Sequence, residues 1–184
     1  MSSPIEQFRE TAEQHGHEGR GPRWIPIAAA VLAVLAAISG FLGNLRATSS
    51  LTAKNDAVIA TTRAADAWNE FEADSIKQHI YEAAIVAGRS VNAAKLSAVV
   101  ESEKRKKGPI AAKAHGLEHE AEADNARSER LLQQHEYFEI GSALFEVAIV
   151  LVSITALAGS RLLPVMAALA TVVGLISAGI AVFA

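Results

Sequence analysis

The chain has 184 residues, 51% of them hydrophobic, with a formal net charge of −3 and no cysteine. Its length suits one domain or slightly more, and its charge balance gives nucleic acid no electrostatic footing. The missing cysteine excludes disulfides, a thiolate zinc site and a cysteine nucleophile.

In chain order, residues 1–24 form a polar tail. Ser3 and Glu6 fit a capping box with Ile5, Phe8 and Ala12 on one face, so a short amphipathic helix and a disordered tail both suit this stretch. "HGHEGRGPRW" then reads as a flexible link ending in Arg23 and Trp24, residue types that anchor at a membrane interface. Residues 25–43 carry no charge and are long enough, at about 1.5 Å per residue, to cross a hydrocarbon core of about 30 Å. A cleaved signal peptide would have a shorter apolar run and a small-residue cleavage site, which "GNLRATSS" does not supply, so an uncleaved anchor is expected.

Residues 44–138 are rich in Ala, Glu, Lys and Arg, poor in Gly and Pro, and free of strand-like alternation. That pattern predicts helix. Because the segment joins two spans, both ends must return to one membrane face, which predicts a hairpin. "AGRSVN" near 88–92 is the expected turn, giving arms of nearly equal length. Gly108-Pro109 is then a kink or a helix restart in the second arm. Residues 139–160 form a second apolar run, charged within 140–160 only at Glu146, and residues 162–184 form an uncharged third. The expected fold is an all-α membrane protein: three transmembrane helices with an extramembrane helical hairpin between the first and second, its arms paired as a coiled coil. Arg20, Arg23 and Arg161 share one side and favour a cytoplasmic N-terminus with the hairpin outside the cytoplasm. Arg46, Lys54, Arg127 and Arg130 weigh against this, so the positive charges nearly balance.

Four groups of residues carry candidate chemistry. At 100° per residue Trp68, Phe71, Ser75, His79 and Glu82 share a face, opposite a charge ladder of Arg63, Asp66, Glu70, Asp74, Lys77 and Tyr81 that reads as solvated surface. The first face mixes aromatics with groups that resist unpaired burial. It is either a set of structural polar partners in a bundle or a ligand pocket. Equal arms place 79 beside about 104 and 68 beside about 115, which brings His79 to Glu101, Glu103 or Lys104 and His115 to Trp68. "HGLEHE" contains His115, Glu118 and His119, the His-x-x-Glu-His spacing of one metallopeptidase class. That chemistry also needs a third ligand from elsewhere and a sheet edge for substrate. No strand is predicted and Gly116 weakens the helix, so chance in a Glu- and His-rich segment explains the spacing. His115, His119 and Glu122 are at most weak metal candidates. Glu146 lies seven residues beyond Glu139 on one face of the second span. An intramembrane carboxylate is costly, so it either serves a proton or cation pathway or packs, protonated or hydrogen-bonded, near Ser39 or Asn44. Small residues at Ala29, Ala33 and Ala37, and at Ala170, Gly174 and Ala178, offer close-packing faces. The basic run Lys104 to Lys107 reads as a solvated cluster. No serine-nucleophile elbow or phosphate loop occurs.

The stretch "DAWNEFEADSIKQHIYE" at 66–82 resembles a recurring block of domain-of-unknown-function family 4337, small bacterial inner-membrane proteins. Asp66, Trp68, Phe71, Ala73, Ser75, Ile76, Lys77, His79, Tyr81 and Glu82 fit the block. Asp74 departs from it, standing where lysine is commoner. The resemblance also covers "EVAIVLVSITAL" in the second span and implies a bacterial inner-membrane location and this order of segments, but no activity. The expected function is non-enzymatic: a self-associating homo-oligomeric scaffold in the lipid bilayer, with the hairpin open to a protein partner, and without cofactor or nucleic acid. The alternative is a small oligomeric channel or transport accessory using Glu146.

Overall fold

The computed structural model describes residues 24–88, 92–158 and 160–183, apart from the Leu157 side chain. The expectations for the tail, residues 1–23, lie outside them. The described chain is all-helical, with three helices, each long and apolar enough to cross a membrane. α1 runs Trp24–Val86, α2 Ala93–Ala158 and α3 Leu162–Phe183.

The hairpin does not form as a separate element between separate spans. α1 and α2 are unbroken helices of 63 and 66 residues, each joining an apolar run to a charged arm. The physical reason is local. No proline interrupts either junction, and Gly43 is held by packing, its α-carbon face lying against Phe138 and His135. α2 also does not restart at Gly108-Pro109. Pro109 sits inside it, and the missing N–H removes one hydrogen bond while buried Glu103 and Ala114 on either side hold the helix to its neighbour.

α1 ends at a turn in which Gly88 adopts φ +64° and its N–H reaches the carbonyl of Ile85 at 3.1 Å. That left-handed position favours glycine. α2 then starts on Asn92, whose carbonyl accepts from the N–H groups of Lys95 and Leu96.

Two units divide the chain. The first, residues up to 46 and from 133 onward, has an apolar interior of Ile25, Leu32 and Ala36 from α1, Phe145, Ala148 and Val152 from α2, and Ala167 from α3. Hydroxyls tie its helices through backbone carbonyls. Ser39 donates to Phe138 at 2.8 Å, Ser142 to Ala36 at 3.1 Å and Ser177 to Tyr137 at 2.8 Å. α3 packs through the predicted small face: Gly174 lies against Phe145 and the carbonyl of Gly141, and Ala178 faces Gly141. Ala170 and Ala29 each pack on the apolar interior, whereas Ala33 and Ala37 face outward.

The second unit, residues 47–132, is an antiparallel pair of arms. Its α1 arm buries Ser50, Ala53, Ala57, Ala60, Ala64, Ala67, Asp74 and Gln78. These positions, with half-buried Phe71, repeat at alternating steps of three and four residues, the spacing that keeps one helix face on a partner. The α2 arm answers with Val100, Glu103, Ala114, Ala121 and Ser128. Alanine at so many of these positions lets the axes approach toward the short end of the usual range of about 8–10 Å. Ser50 and Ser128 close the base of the seam reciprocally, each hydroxyl reaching the other's backbone carbonyl at 2.9 Å.

Candidate functional site

The sequence-predicted face on the α1 arm is only partly the packed one. Trp68, Phe71, Ser75 and Glu82 are half-buried, while the His79 side chain is 73% exposed and pairs with Glu82 on its own helix at 3.4 Å. Asp74, assigned from the sequence to solvent, is buried, and Gln78 lies buried one turn further on. The alanine spacing carries the missing signal: continued by threes and fours from Ala67 it passes through Phe71, Asp74 and Gln78.

Around Trp68 the arms form a latch. The indole N–H donates to Glu118 Oε1 at 2.8 Å and the ring meets His115 edge-on, with centroids 5.0 Å apart. Phe71 packs on the indole at 5.6 Å, with the Lys107 ammonium 5.5 Å from its own ring centroid. His115 Nδ1 also bonds Glu118, at 2.9 Å. The indole hydrogen bond, then the one from His115, hold the Glu118 carboxyl below its ordinary range. His119 pairs with Glu122 at 3.5 Å, both well exposed. The His-x-x-Glu-His residues thus serve contacts between and along the arms. Among the described residues no three His, Asp or Glu converge in a way that could hold a metal ion.

One turn above the latch lies a polar layer. Lys77 bonds Asp74 and Lys106 bonds Glu103, each at 2.9 Å. Gln78 donates to Glu82 at 2.8 Å, and Lys104 reaches Glu82 across the arms at 3.4 Å. Gln78 Oε1 and Glu103 Oε2 are buried acceptors without a partner, in a seam lined mainly by alanine. The Asp74 carboxyl is held below its ordinary range, first by the Lys77 hydrogen bond, and that of Glu82 first by Gln78. Lys77 and Lys106 are raised by Asp74 and Glu103 respectively.

The sign of the pH dependence follows. Lowered carboxyl values stabilise the folded arms above the ordinary carboxylate range near pH 4, and that contribution is lost as pH falls through the lowered values. The raised lysines contribute below about pH 10.4 and lose their contribution as pH rises through the raised values. The melting temperature of the detergent-solubilised chain, followed by circular dichroism, should therefore be flat between these limits and drop at both ends. In Asp74→Asn the acid drop should shrink. An unchanged acid limb would show that this layer does not carry it.

In the first unit a groove of about 360 Å³ opens between Gly40, Gly43 and Asn44 of α1 and His135, Glu139 and Glu146 of α2. Glu146 shares this space with Asn44, while Ser39 is committed to the Phe138 carbonyl. His135 Nδ1 lies 3.0 Å from the Gly43 carbonyl, which can only accept, so Nδ1 is the donor. Its Nε2 then faces Glu139 Oε2 at 3.6 Å. Ser142, also lining the groove, spends its proton on Ala36. Glu146 makes no ion pair or side-chain hydrogen bond among the described residues. Apart from the Asn44 amide, the groove therefore presents acceptors and carboxyl groups. The sequence identified Glu146 and Asn44, but His135 entered no motif. Only its place one turn before Glu139 could have suggested its role.

No curated protein and no solved structure matches the chain. The model of one protein family, described as a domain of unknown function (DUF4337), matches residues 22–184. With nearly the whole chain covered, the protein belongs to the DUF4337 family.

Proposed function

We propose that the chain is a non-enzymatic, self-associating scaffold of the bacterial inner membrane. Its charged arms stand outside the bilayer as a coiled-coil hairpin, and Arg20, Arg23 and Arg161 face the cytoplasm. The observation that carries this reading is an inversion in the arms: alanines fill the seam while Leu51, Val58, Ile59, Ile76 and Ile80 face outward. Single exposed aliphatics are ordinary, but aliphatics in groups call for a covering surface. Leu51 and Val58 are seven residues apart, and Ile76 and Ile80 four, so each pair shares a helix face. Lipid cannot cover them, because Arg63, Asp66, Glu70 and their neighbours lie on the same arm. A second copy presenting the same pairs would. A channel through Glu146 has less support, since Ser153 and Thr155, deeper in α2, spend their hydroxyls on their own helix at 2.8 Å.

The test is the mass of the complex in detergent micelles or nanodiscs. Wild type should run as a discrete oligomer and Ile76→Lys/Ile80→Lys as a smaller species with unchanged helicity. A strictly monomeric wild type overturns the scaffold, and conductance in reconstituted vesicles that vanishes in Glu146→Gln would favour a channel instead.

A further inference from the structure

We infer that the groove between Gly40, Asn44, His135, Glu139 and Glu146 binds a primary ammonium group, the ethanolamine headgroup of a membrane phospholipid. The inference rests on the reading of the apolar runs as spans, and it adds a ligand that self-association does not require.

Apart from the Asn44 amide, the groove is short of donors. Its imidazole has committed Nδ1–H to Gly43 and turns Nε2 toward Glu139, while its serine donates to Ala36. Two carboxylates then line the space with no described cation beside them: the partner Glu139 has is His135, and Glu146 has none. Glu146 is exposed on a span, where exposure means hydrocarbon rather than water. A carboxyl there either keeps a proton or is stabilised by a partner that brings positive charge or hydrogen-bond donors. An ammonium occupant supplies both.

Size and lining narrow its chemistry. About 360 Å³ corresponds to roughly a dozen waters at ~30 Å³ each, far more than a bare ion fills. No three ionisable ligands converge on a metal among the described residues. A quaternary ammonium is recognised by the faces of Trp, Tyr or Phe, and none of these lines this groove. A primary ammonium carries three N–H donors that suit carboxylates and an imidazole nitrogen. Position selects its source. Gly43 and Asn44 close the uncharged run of α1 and Glu139 borders the apolar run of α2, so the groove mouth sits at the level where headgroups end and acyl chains begin. Gly40 supplies the room: an added Cβ would meet only Ser142 Oγ, at 3.5 Å.

Native mass spectrometry of the full chain, titrated with phosphatidylethanolamine, phosphatidylcholine and phosphatidylglycerol of matched acyl chains, tests the assignment. Phosphatidylethanolamine should bind about tenfold more tightly than either of the others, the scale of losing one charge-assisted hydrogen bond. Glu139→Gln/Glu146→Gln should abolish the preference, and Gly40→Leu, which fills the groove, should abolish binding, with melting temperature confirming that each variant is folded. Equal binding of phosphatidylcholine, or a preference that survives in the Gln variant, overturns the proposal. Free ethanolamine competing at the same concentration as the lipid overturns the lipid source. The same spectra read the oligomer mass, so a lost lipid preference with the oligomer intact removes the groove assignment alone. Release of the chain from membranes by alkaline carbonate would remove the membrane reading beneath it.

Discussion

Replacing Phe145 with alanine should destabilise the detergent-solubilised protein by about 2–4 kcal/mol, and Gly174→Leu should cost about 2–3 kcal/mol, yet the double variant should be more stable than the sum of the two losses by at least ~1.5 kcal/mol. Phe145 is 1% exposed, so its removal leaves a hole that its neighbours can close only partly. In a soluble core the loss would be larger, because part of it is transfer from water. In a membrane protein the dispersion and cavity part remains. Gly174 is the reciprocal half of the same contact. A Cβ there would stand 2.9 Å from Phe145 Cε1 and 3.2 Å from the Gly141 carbonyl oxygen. The ring is enclosed and the carbonyl belongs to a helix, so neither yields cheaply. With both changes the leucine enters the space the ring vacates. Gly179→Ala is the control, since nothing lies within 4 Å of its added Cβ. Unfolding titrations in mixed micelles measure the cycle, and strict additivity would show that the two residues do not share one packing site.

The second large effect belongs to the arms. Ala57→Leu should cost about 2–3 kcal/mol, while Val58→Leu next to it should change stability by less than about 0.5 kcal/mol. Ala57 is 1% exposed in the seam, whereas Val58 is 57% exposed. The larger residue at 57 must push the α2 arm away around Ala121, and the neighbouring alanines lose contact with it. Thermal melting monitored at 222 nm checks the pair. Equal tolerance at 57 and 58 would mean the seam lies elsewhere.

Three long apolar runs and a charged helical segment were legible in the sequence because bilayer thickness and helix rise constrain length directly. So was the family, through the block at 66–82. The continuity of α1 and α2 was not. An apolar run followed by a charged one reads as two elements when only composition is followed, yet nothing at Gly43 or Arg46 breaks a helix. The packed face of the arm was misplaced for a related reason. Trp68 and His79 are large or titratable groups, and the helix face that contains them leaves out Asp74 and Gln78. The alanines at 53, 57, 60, 64 and 67 held the true phase, but alanine is equally at home on a surface, so they gave no contrast in hydropathy. His135 was invisible because its role depends on the Gly43 carbonyl, a backbone group on another helix.

The alternating three-and-four rhythm of the arm seam makes the arms a ruler graduated in sevens. Adding or deleting one residue in an arm would turn everything beyond it by about 100° and present Val58-type side chains to the alanine track. Seven residues in each arm, at matching heights, would leave the track in phase to within about 20°. Arm length is therefore free to drift between relatives only in whole graduations, and only when both arms change together.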